Sequence, residues 1–369
     1  MSDSIGISFD PKAAHSLLGT KLPEGCILTK KNSPPGTGES TGGNFSVGYV
    51  GEWHDDRGRV TREAFVKVFD IGRAFRVHSG NIMEAITKLG LEHQHESRMF
   101  EICEAAKLNR VVKVLGRGQI TGGVGMATPL PYIIFELGDA DLRVAVRKLD
   151  TIEIAWRLST LHDVAVGLQE IHSQMIAHQD LKPSNVMIFD KKGQGAKLAD
   201  LGRASRNDGR VAAHDELSVA GDPRYAPPEQ AYGVQAVEWR DRREGCDLYH
   251  LGCLIAFSFS GTTPNEAYLK LPEDIRPTAW ANGKWRGSYD DVVPHIDKVL
   301  TEYVATLKSH FPYWAAEELT QMVLNLCTPH YLKRGHPDAR NQQGAPLGLE
   351  RFISRLDHLS KQARMLSKR

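Results

Sequence analysis

Asp180, Lys182 and Asn185 fall within six positions of one another in Ile176-Ala177-His178-Gln179-Asp180-Leu181-Lys182-Pro183-Ser184-Asn185-Val186. Together they make a compact kit for phosphoryl transfer. A carboxylate can orient a hydroxyl and accept its proton, a lysine can neutralise charge on a γ-phosphate, and an asparagine offers magnesium a hard oxygen ligand. The apolar segment Val186-Met187-Ile188-Phe189 follows, and Ala196-Lys197-Leu198-Ala199 then leads into Asp200-Leu201-Gly202. Asp200 thereby supplies magnesium with a second ligand, a carboxylate, about a hairpin's length from Asn185. A His-x-Asp triplet or an Asp-Leu-Gly turn alone is weak and often just a turn. The two in this order and at this spacing, with Lys182 and Asn185 between them, are far more specific.

The elements that must position these groups change character along the chain. Residues 26–29 read as a short strand, and 30–43, rich in Gly, Pro, Ser and Thr, as a loop. Phe45, Val47 and Tyr49 alternate with small or polar residues in a strand pattern, and residues 54–58 have the composition of a hairpin turn. Residues 60–69 make another strand, with Ala64, Val66 and Val68 on one face and Phe65, Lys67 and Phe69 on the other. Residues 81–108 have helical periodicity with a candidate break at Gly90, and 111–115 and 132–137 are further strand candidates. From Asp141 onward the pattern turns helical. Leu158, Leu161, Val164, Ala165, Leu168 and Ile171 form one helix face. Residues 271–289, with Trp280 and Trp285, lack periodicity and read as an irregular surface insertion. Residues 347–366 read as a final basic amphipathic helix. Strands first and helices later predict an α+β fold in two segregated lobes.

The 369 residues suit one large bilobal domain or two domains, and 41% apolar with 25% charged content is ordinary for a soluble globular protein. A net charge of +1 gives no bulk attraction toward nucleic acid or an anionic membrane. Cys26, Cys103, Cys246, Cys253 and Cys327 show no C-x-x-C spacing, so the reading is buried thiols in a reducing compartment, with no structural zinc. The first residues lack the basic and apolar regions of a secretory leader. The longest apolar run, 251–259, is far short of the ~20 residues that cross a bilayer. A soluble, cytoplasmic protein is expected.

The two chemical segments resemble the H-R-D-L-K-x-x-N catalytic loop and D-F-G metal loop of the protein kinases, over roughly residues 26–337. The sequence looks most like a eukaryotic-like serine/threonine kinase of bacterial type. The resemblance implies a bilobal fold with an antiparallel β N-lobe holding one main helix, and a mostly helical C-lobe. Its expected divisions are an N-terminal extension (1–25), N-lobe (26–136), C-lobe (137–338) and helical tail (339–369). Ala64-Phe65-Val66-Lys67 is similar to the V-A-I-K strand, whose lysine touches the α- and β-phosphates. A charge among apolar neighbours needs a partner. Glu96 fits by resemblance, with Met99, Phe100 and Cys103 following, while Glu92 and Glu101 compete. The Gly-rich loop, 36–47, departs from G-x-G-x-x-G-x-V. Gly42 and Gly43 best meet the need for bare backbone amides near phosphate, with Val47 after them. A plain flexible hairpin loop is the alternative for this segment.

Ile133-Ile134-Phe135-Glu136-Leu137-Gly138 is similar to the segment joining the lobes. There the backbone of Glu136 to Gly138 would bind adenine, Phe135 would gate the space behind it, and Asp141 would reach a ribose hydroxyl. Gly221-Asp222-Pro223-Arg224-Tyr225-Ala226-Pro227-Pro228-Glu229 resembles the G-T-x-x-Y-x-A-P-E segment, which implies a Glu229–Arg334 pair. Asp247 resembles the helix carboxylate that holds the catalytic loop from below. The A-P-E-like segment and Asp-Leu-Lys-Pro favour a protein kinase over a small-molecule phosphotransferase, and Lys182 is the serine/threonine-type choice. Two positions depart from the family. Gln179 replaces an arginine that pairs with a phosphate on the activation loop, which predicts a loop of residues 201–228 active without phosphorylation, with Asp215 and Glu216 as fixed charge. Asp222 replaces a threonine beside the substrate, where it could alter the choice of accepting hydroxyl or repel acidic substrates.

The expectation is a kinase that uses ATP and Mg2+ to phosphorylate protein serine or threonine, with no nucleic-acid or membrane partner. Asp180, Lys182, Lys67 and Glu96 are its catalytic set, and Asn185 and Asp200 its metal ligands. A nucleotide-binding pseudokinase scaffold and a small-metabolite kinase are the alternatives.

Overall fold

The computed structural model describes residues 10, 12–32, 46–77, 82–122, 128–147, 153–211, 214, 215, 217–340, 342, 344 and 347–367. Gly42, Gly43 and Glu216 lie outside them. The described chain divides into two compact units. One holds the residues up to Ala105 together with Val112–Gly138, and the other holds Ala106–Val111 and everything from Asp139 onward.

Period-two alternation builds the first unit. Its strands are β1 (Ile27–Lys31), β2 (Ser46–His54) and β3 (Val60–Phe69). Two helices, α1 (Ile71–Val77) and α2 (Ile82–Ala105), precede β4 (Val114–Gly122) and β5 (Thr128–Glu136). The five strands form an antiparallel sheet in the order β1-β2-β3-β5-β4. Ala64, Val66 and Val68 are buried on one face of β3, as their alternation requires, and pack with Val47, Tyr49, Leu130 and Ile134. The stretch before β1 covers this face: Ala13, Ala14 and Leu17 join the cluster, and Tyr49 donates its hydroxyl to the Ala14 carbonyl at 2.7 Å.

Two sequence expectations shift here. α2 runs unbroken through Gly90. A glycine costs a helix roughly 1 kcal/mol relative to alanine but still supplies its N–H, so packing of Leu89, Met99, Phe100 and Cys103 outweighs it. The fourth strand starts at Val114, because Val111 instead bridges Leu198, and both belong to the second unit. Arg110 fixes that detour: its guanidinium pairs with Asp163 at 2.7 Å and its amide donates to Glu170 at 2.7 Å.

The second unit begins with β6 (Ala140–Asp141), α3 (Leu142–Ala145) and the long α4 (Ile154–Ser173). Four short strands follow: β7 (Ile176–Ala177), β8 (Val186–Phe189), β9 (Gly195–Leu198) and β10 (Ser205–Arg206). They form a three-stranded sheet in the order β6-β8-β9 and a separate β10-β7 pair. The remaining helices are α5 (Pro228–Ala231), α6 (Gly245–Ser260), α7 (Pro264–Tyr268), α8 (Tyr289–Leu307), α9 (Ala316–Cys327) and α10 (Leu349–Leu366). α6 is apolar nearly all round and almost wholly buried, the pattern of a central core helix, and one widened π turn, Arg240–Glu244, leads into it. α10 buries Phe352, Leu356, Leu359 and Ala363 and packs against α4. Residues 271–289 carry only turns and a Pro277–Trp285 bridge up to the start of α8. Trp280 there stacks on Tyr268 at 5.9 Å and is half-buried. All five cysteines are buried and unbridged. No helix among the described residues is long and apolar enough to cross a membrane.

Candidate active site

In the first unit, Lys67 donates to both carboxylate oxygens of Glu96 at 2.9 Å. Burial of Glu96, only 1% exposed, makes this a charge pair that the structure must satisfy. The competitor Glu101 is instead held by Arg117 on β4, at 2.9 Å. Phe135 packs edge-on against Phe100 at 5.0 Å, between ring centroids, and lies near Phe65 at 6.4 Å. The main-chain N–H of Glu136 is already used by the Lys113 carbonyl at 2.9 Å.

Val47 is a correction. It pairs with Val68 and is fully buried in the cluster on the face opposite Lys67. Cross-strand partners share a face, so the residue facing with Lys67 is its partner Gly48, followed by Val50. The sequence reading is one residue out of register, and in a strand one residue reverses the face. Gly48 also gives the Phe65 ring its place: a Cβ there would lie 2.7 Å from that ring and would make it shift.

The second unit assembles the catalytic-type segment between β7 and β8. Asp247, wholly buried on α6, accepts the main-chain N–H groups of His178 and Gln179 at 2.7 Å each, and the His172 ring at 2.8 Å. Burial alone would push its pKa up. The hydrogen bond from His172 and the nearby histidines outweigh that and hold it below the ordinary carboxylate value. The fixed carboxylate supports a strained turn, because Gln179 has φ 61°, a left-handed conformation that costs a non-glycine residue of order 1–3 kcal/mol. His178 completes the brace, with Nε2 at 3.0 Å from the Ala199 carbonyl. That bond needs the Nε2–H tautomer.

Asp180 accepts four hydrogen bonds from three donor groups. Its Oδ1 accepts the Asp222 amide at 2.7 Å and Lys182 Nζ at 3.1 Å. Its Oδ2 accepts Lys182 Nζ at 2.9 Å and Asn185 Nδ2 at 3.3 Å. Asn185 also donates to the Asp180 carbonyl at 2.8 Å. Burial raises the Asp180 pKa, the charge of Asp200 raises it further, and Lys182 pulls it back. Asp200 therefore acts electrostatically on Asp180, and like Gln179 it holds a left-handed conformation, with φ 61°. These residues fit a divalent cation. Asn185 spends its N–H2 on Asp180, which leaves its Oδ1 as the oxygen donor, and a cation would relieve the repulsion of two neighbouring carboxylates.

Asp222 lies at the other side of Asp180, with a carboxylate oxygen 3.6 Å from Lys182 Nζ. Arg224 grips the same carboxylate through Nε at 3.0 Å and through a terminal nitrogen at 2.7 Å. Burial raises the Asp222 pKa, and Arg224 more than reverses this, so the charge is neutralised where it stands. The expected Glu229–Arg334 pair forms with two bonds, at 2.7 and 2.8 Å, and Arg334 is fully buried. Asp141 caps α3, accepting the Val144 amide at 2.9 Å and Arg143 at 3.0 Å. Sequence reasoning missed Arg243, which donates from the π turn to the side chains of both Gln179 and Asp215. In the sequence Arg240-Asp241-Arg242-Arg243-Glu244 looks like any solvated run of charge.

Comparison with known proteins follows the same residues. The protein kinase domain model matches residues 92–334, about two-thirds of the chain. The serine/threonine-protein kinase PknB of Mycolicibacterium smegmatis is 30% identical over 235 residues, 60% of this chain and 35% of that protein. PknB of Mycobacterium tuberculosis (H37Rv) is 31% identical over 196 residues, 50% of this chain and 29% of that protein. A probable serine/threonine-protein kinase PknB of Corynebacterium glutamicum is 31% identical over 176 residues, 45% of this chain and 26% of that protein. The chain thus spans about a third or less of the length of these relatives. The match covers Asp180, Lys182, Asn185, Asp200, Asp247 and the Glu229–Arg334 pair, with Lys67 lying ahead of it, and on that extent and those residues the chain belongs to the protein kinase domain family.

Proposed function

We propose that this chain is a protein serine/threonine kinase that transfers the γ-phosphoryl group of ATP, with magnesium, to a protein hydroxyl. The observation that carries the reading is the set of donors around Asp180: Lys182, Asn185 and the Asp222 amide all converge on one buried carboxylate. A binding-only scaffold needs no such focus, and nothing favours it over turnover.

In this reading Asp180 orients the acceptor hydroxyl and takes its proton as oxygen attacks the γ-phosphorus. The bond from phosphorus to the bridging oxygen breaks, and ADP leaves. Lys182 shares its charge between Asp180 and the transferring group. Asn185 and Asp200 would hold magnesium, which when bound offsets negative charge on the phosphates. Lys67, fixed by Glu96, would contact the α- and β-phosphates, and the Glu136–Gly138 backbone would bind adenine. The roles of Gly42 and Gly43 as phosphate-facing amides and of Asp141 as a ribose contact rest on the resemblance alone. Catalysis would come mainly from positioning and electrostatics. A cytoplasmic location, and the lobe and tail divisions at residues 26–136, 137–338 and 339–369, belong to the same proposal. Because Arg224 already pairs with Asp222, the local charge offers little repulsion to acidic substrates.

The test is incubation with γ-labelled ATP, magnesium and a basic protein, with Asp180→Asn as control. Label on serine or threonine that vanishes in the control is expected. Measurable ATP binding with no label on any protein would overturn the reading.

A further inference from the structure

The family's usual phosphate-binding arginine is absent at Gln179, yet a guanidinium still reaches this point. Arg243, 4% exposed, donates one terminal nitrogen to Gln179 Oε1 and the other to the Asp215 carboxylate. Arg242, beside it, donates to the Asp215 carbonyl at 2.7 Å. The Gln179 amide nitrogen turns the other way and donates to the Arg203 carbonyl at 3.1 Å. One glutamine therefore links the start of the activation segment, through Arg203, to its middle, through Arg243 and Asp215.

The π turn that carries Arg243 is itself anchored. Arg240 pairs with Glu244 at 3.3 Å, and Asp241 pairs with Arg340 at 2.9 Å. A π turn widens the helix by one residue and re-aims the side chains that follow. Here it sets Arg242 and Arg243 toward Asp215 while Asp247, on the following turn of α6, holds the Gln179 main chain. The same helix start grips Gln179 by its backbone and by its side chain.

We infer that Arg243 is a positioning residue that ties the catalytic loop to a permanent anion, Asp215, so that the activation segment is held without a phosphate. This rests on the kinase reading and adds its regulation. The charge count is the reason. Elsewhere in the family the cation sits on the catalytic loop and the anion is added to the activation segment by phosphorylation. Here the cation comes from the π turn, the anion is encoded, and a neutral amide joins them. The serines beside the tie fit this picture: Ser205 is buried in β10 and Ser218 is exposed, and neither is bonded to Arg243.

The experiment compares enzyme freed of phosphate by a phosphatase, with loss confirmed by mass, against untreated enzyme and against four variants. Expected results are equal kcat before and after dephosphorylation and for Ser218→Ala. Asp215→Asn, which keeps the side-chain shape, should lose about tenfold in kcat with KM for ATP unchanged, the size of one charge-assisted hydrogen bond. Gln179→Arg places two guanidinium groups on one carboxylate and should also lose activity. Gln179→Arg with Arg243→Gln restores one cation to one anion and should recover most of it. A merely structural role for Arg243 would give no such rescue. Loss of activity on dephosphorylation, or wild-type kcat in Asp215→Asn, overturns the inference. If the wild-type enzyme shows no turnover, the kinase reading fails by itself, and hydrogen exchange decides the tie. Faster exchange at residues 177–180 and 203–206 in Asp215→Asn supports it, and unchanged exchange overturns it.

Discussion

Gly221 lies directly against Asp180: a methyl group on it would sit 2.8 Å from Asp180 Oδ1, 2.9 Å from its Cα and 2.4 Å from the Gln179 carbonyl oxygen. Those atoms are backbone or a carboxylate held by three donor groups, so none can yield cheaply. The contact also delivers the Asp222 amide to Asp180, at 2.7 Å. Gly221→Ala should therefore separate the activation segment from the catalytic loop. On the kinase reading, kcat should fall about a hundredfold, the scale of a misplacement of about 1 Å, while KM for ATP stays near wild type. Steady-state kinetics with a protein substrate check this, and a wild-type kcat would show that the close approach has no role in turnover.

Two glutamates on α2 have separate jobs, which makes a paired test. Glu96 holds Lys67, whereas Glu101 holds Arg117. Glu96→Gln removes the charge that fixes a lysine of 15% side-chain exposure, so ATP-dependent turnover should fall by roughly 10–100-fold. Glu101→Gln breaks an exposed pair, worth about 0–1 kcal/mol, and should leave kinetics unchanged. Equal effects of the two substitutions would contradict the assignment of Glu96.

What could be read from the sequence followed from local rules. Alternation placed Lys67 opposite Ala64, Val66 and Val68, and the spacing of Asp180, Lys182 and Asn185 placed three groups on one turn. Glu229 and Arg334 pair across 105 positions, a contact that only the family resemblance made visible. Val47 was misjudged because facing depends on a one-residue register that the glycines before it leave open. Arg243 was invisible for another reason. Its partner Gln179 is 64 positions away, and nothing in a run of mixed charges marks which member turns inward. The π turn that turns it has no sequence signature of its own.

Asp180 gives the protein a pH signature. Burial and Asp200 raise its pKa above the carboxylate value of 3.8, and Lys182 lowers it. Only the ionised form can accept the hydroxyl proton, so kcat/KM should fall as pH drops through this raised pKa. Lys182→Gln removes the charge that favours the ionised form. The acid limb should then move to higher pH, alongside a loss of about 10²–10³-fold in rate. Lys182→Arg keeps the charge and should keep the limb near its wild-type position. Full pH profiles of kcat/KM for the three proteins decide it, and a limb that moves down in Lys182→Gln would mean that another group titrates.

The Glu229–Arg334 pair is the clearest stability test. Arg334 is fully buried and satisfies both Glu229 oxygens and the Thr328 carbonyl at 3.1 Å, with its guanidinium 5.2 Å from the Tyr249 ring centroid. Burial opposes the arginine charge, and Glu229 more than offsets this, so its pKa rises. Arg334→Met leaves Glu229, 6% exposed, as an unpaired buried charge. The cost should be roughly 3–5 kcal/mol, because a buried carboxylate is then left without the cation that compensates it. Adding Glu229→Gln to Arg334→Met removes the stranded charge and should recover part of the loss. Urea denaturation of the wild type, both single variants and the double variant gives the coupling between the two residues. Strictly additive losses would mean that the pair, although buried and doubly bonded, does not act as one unit.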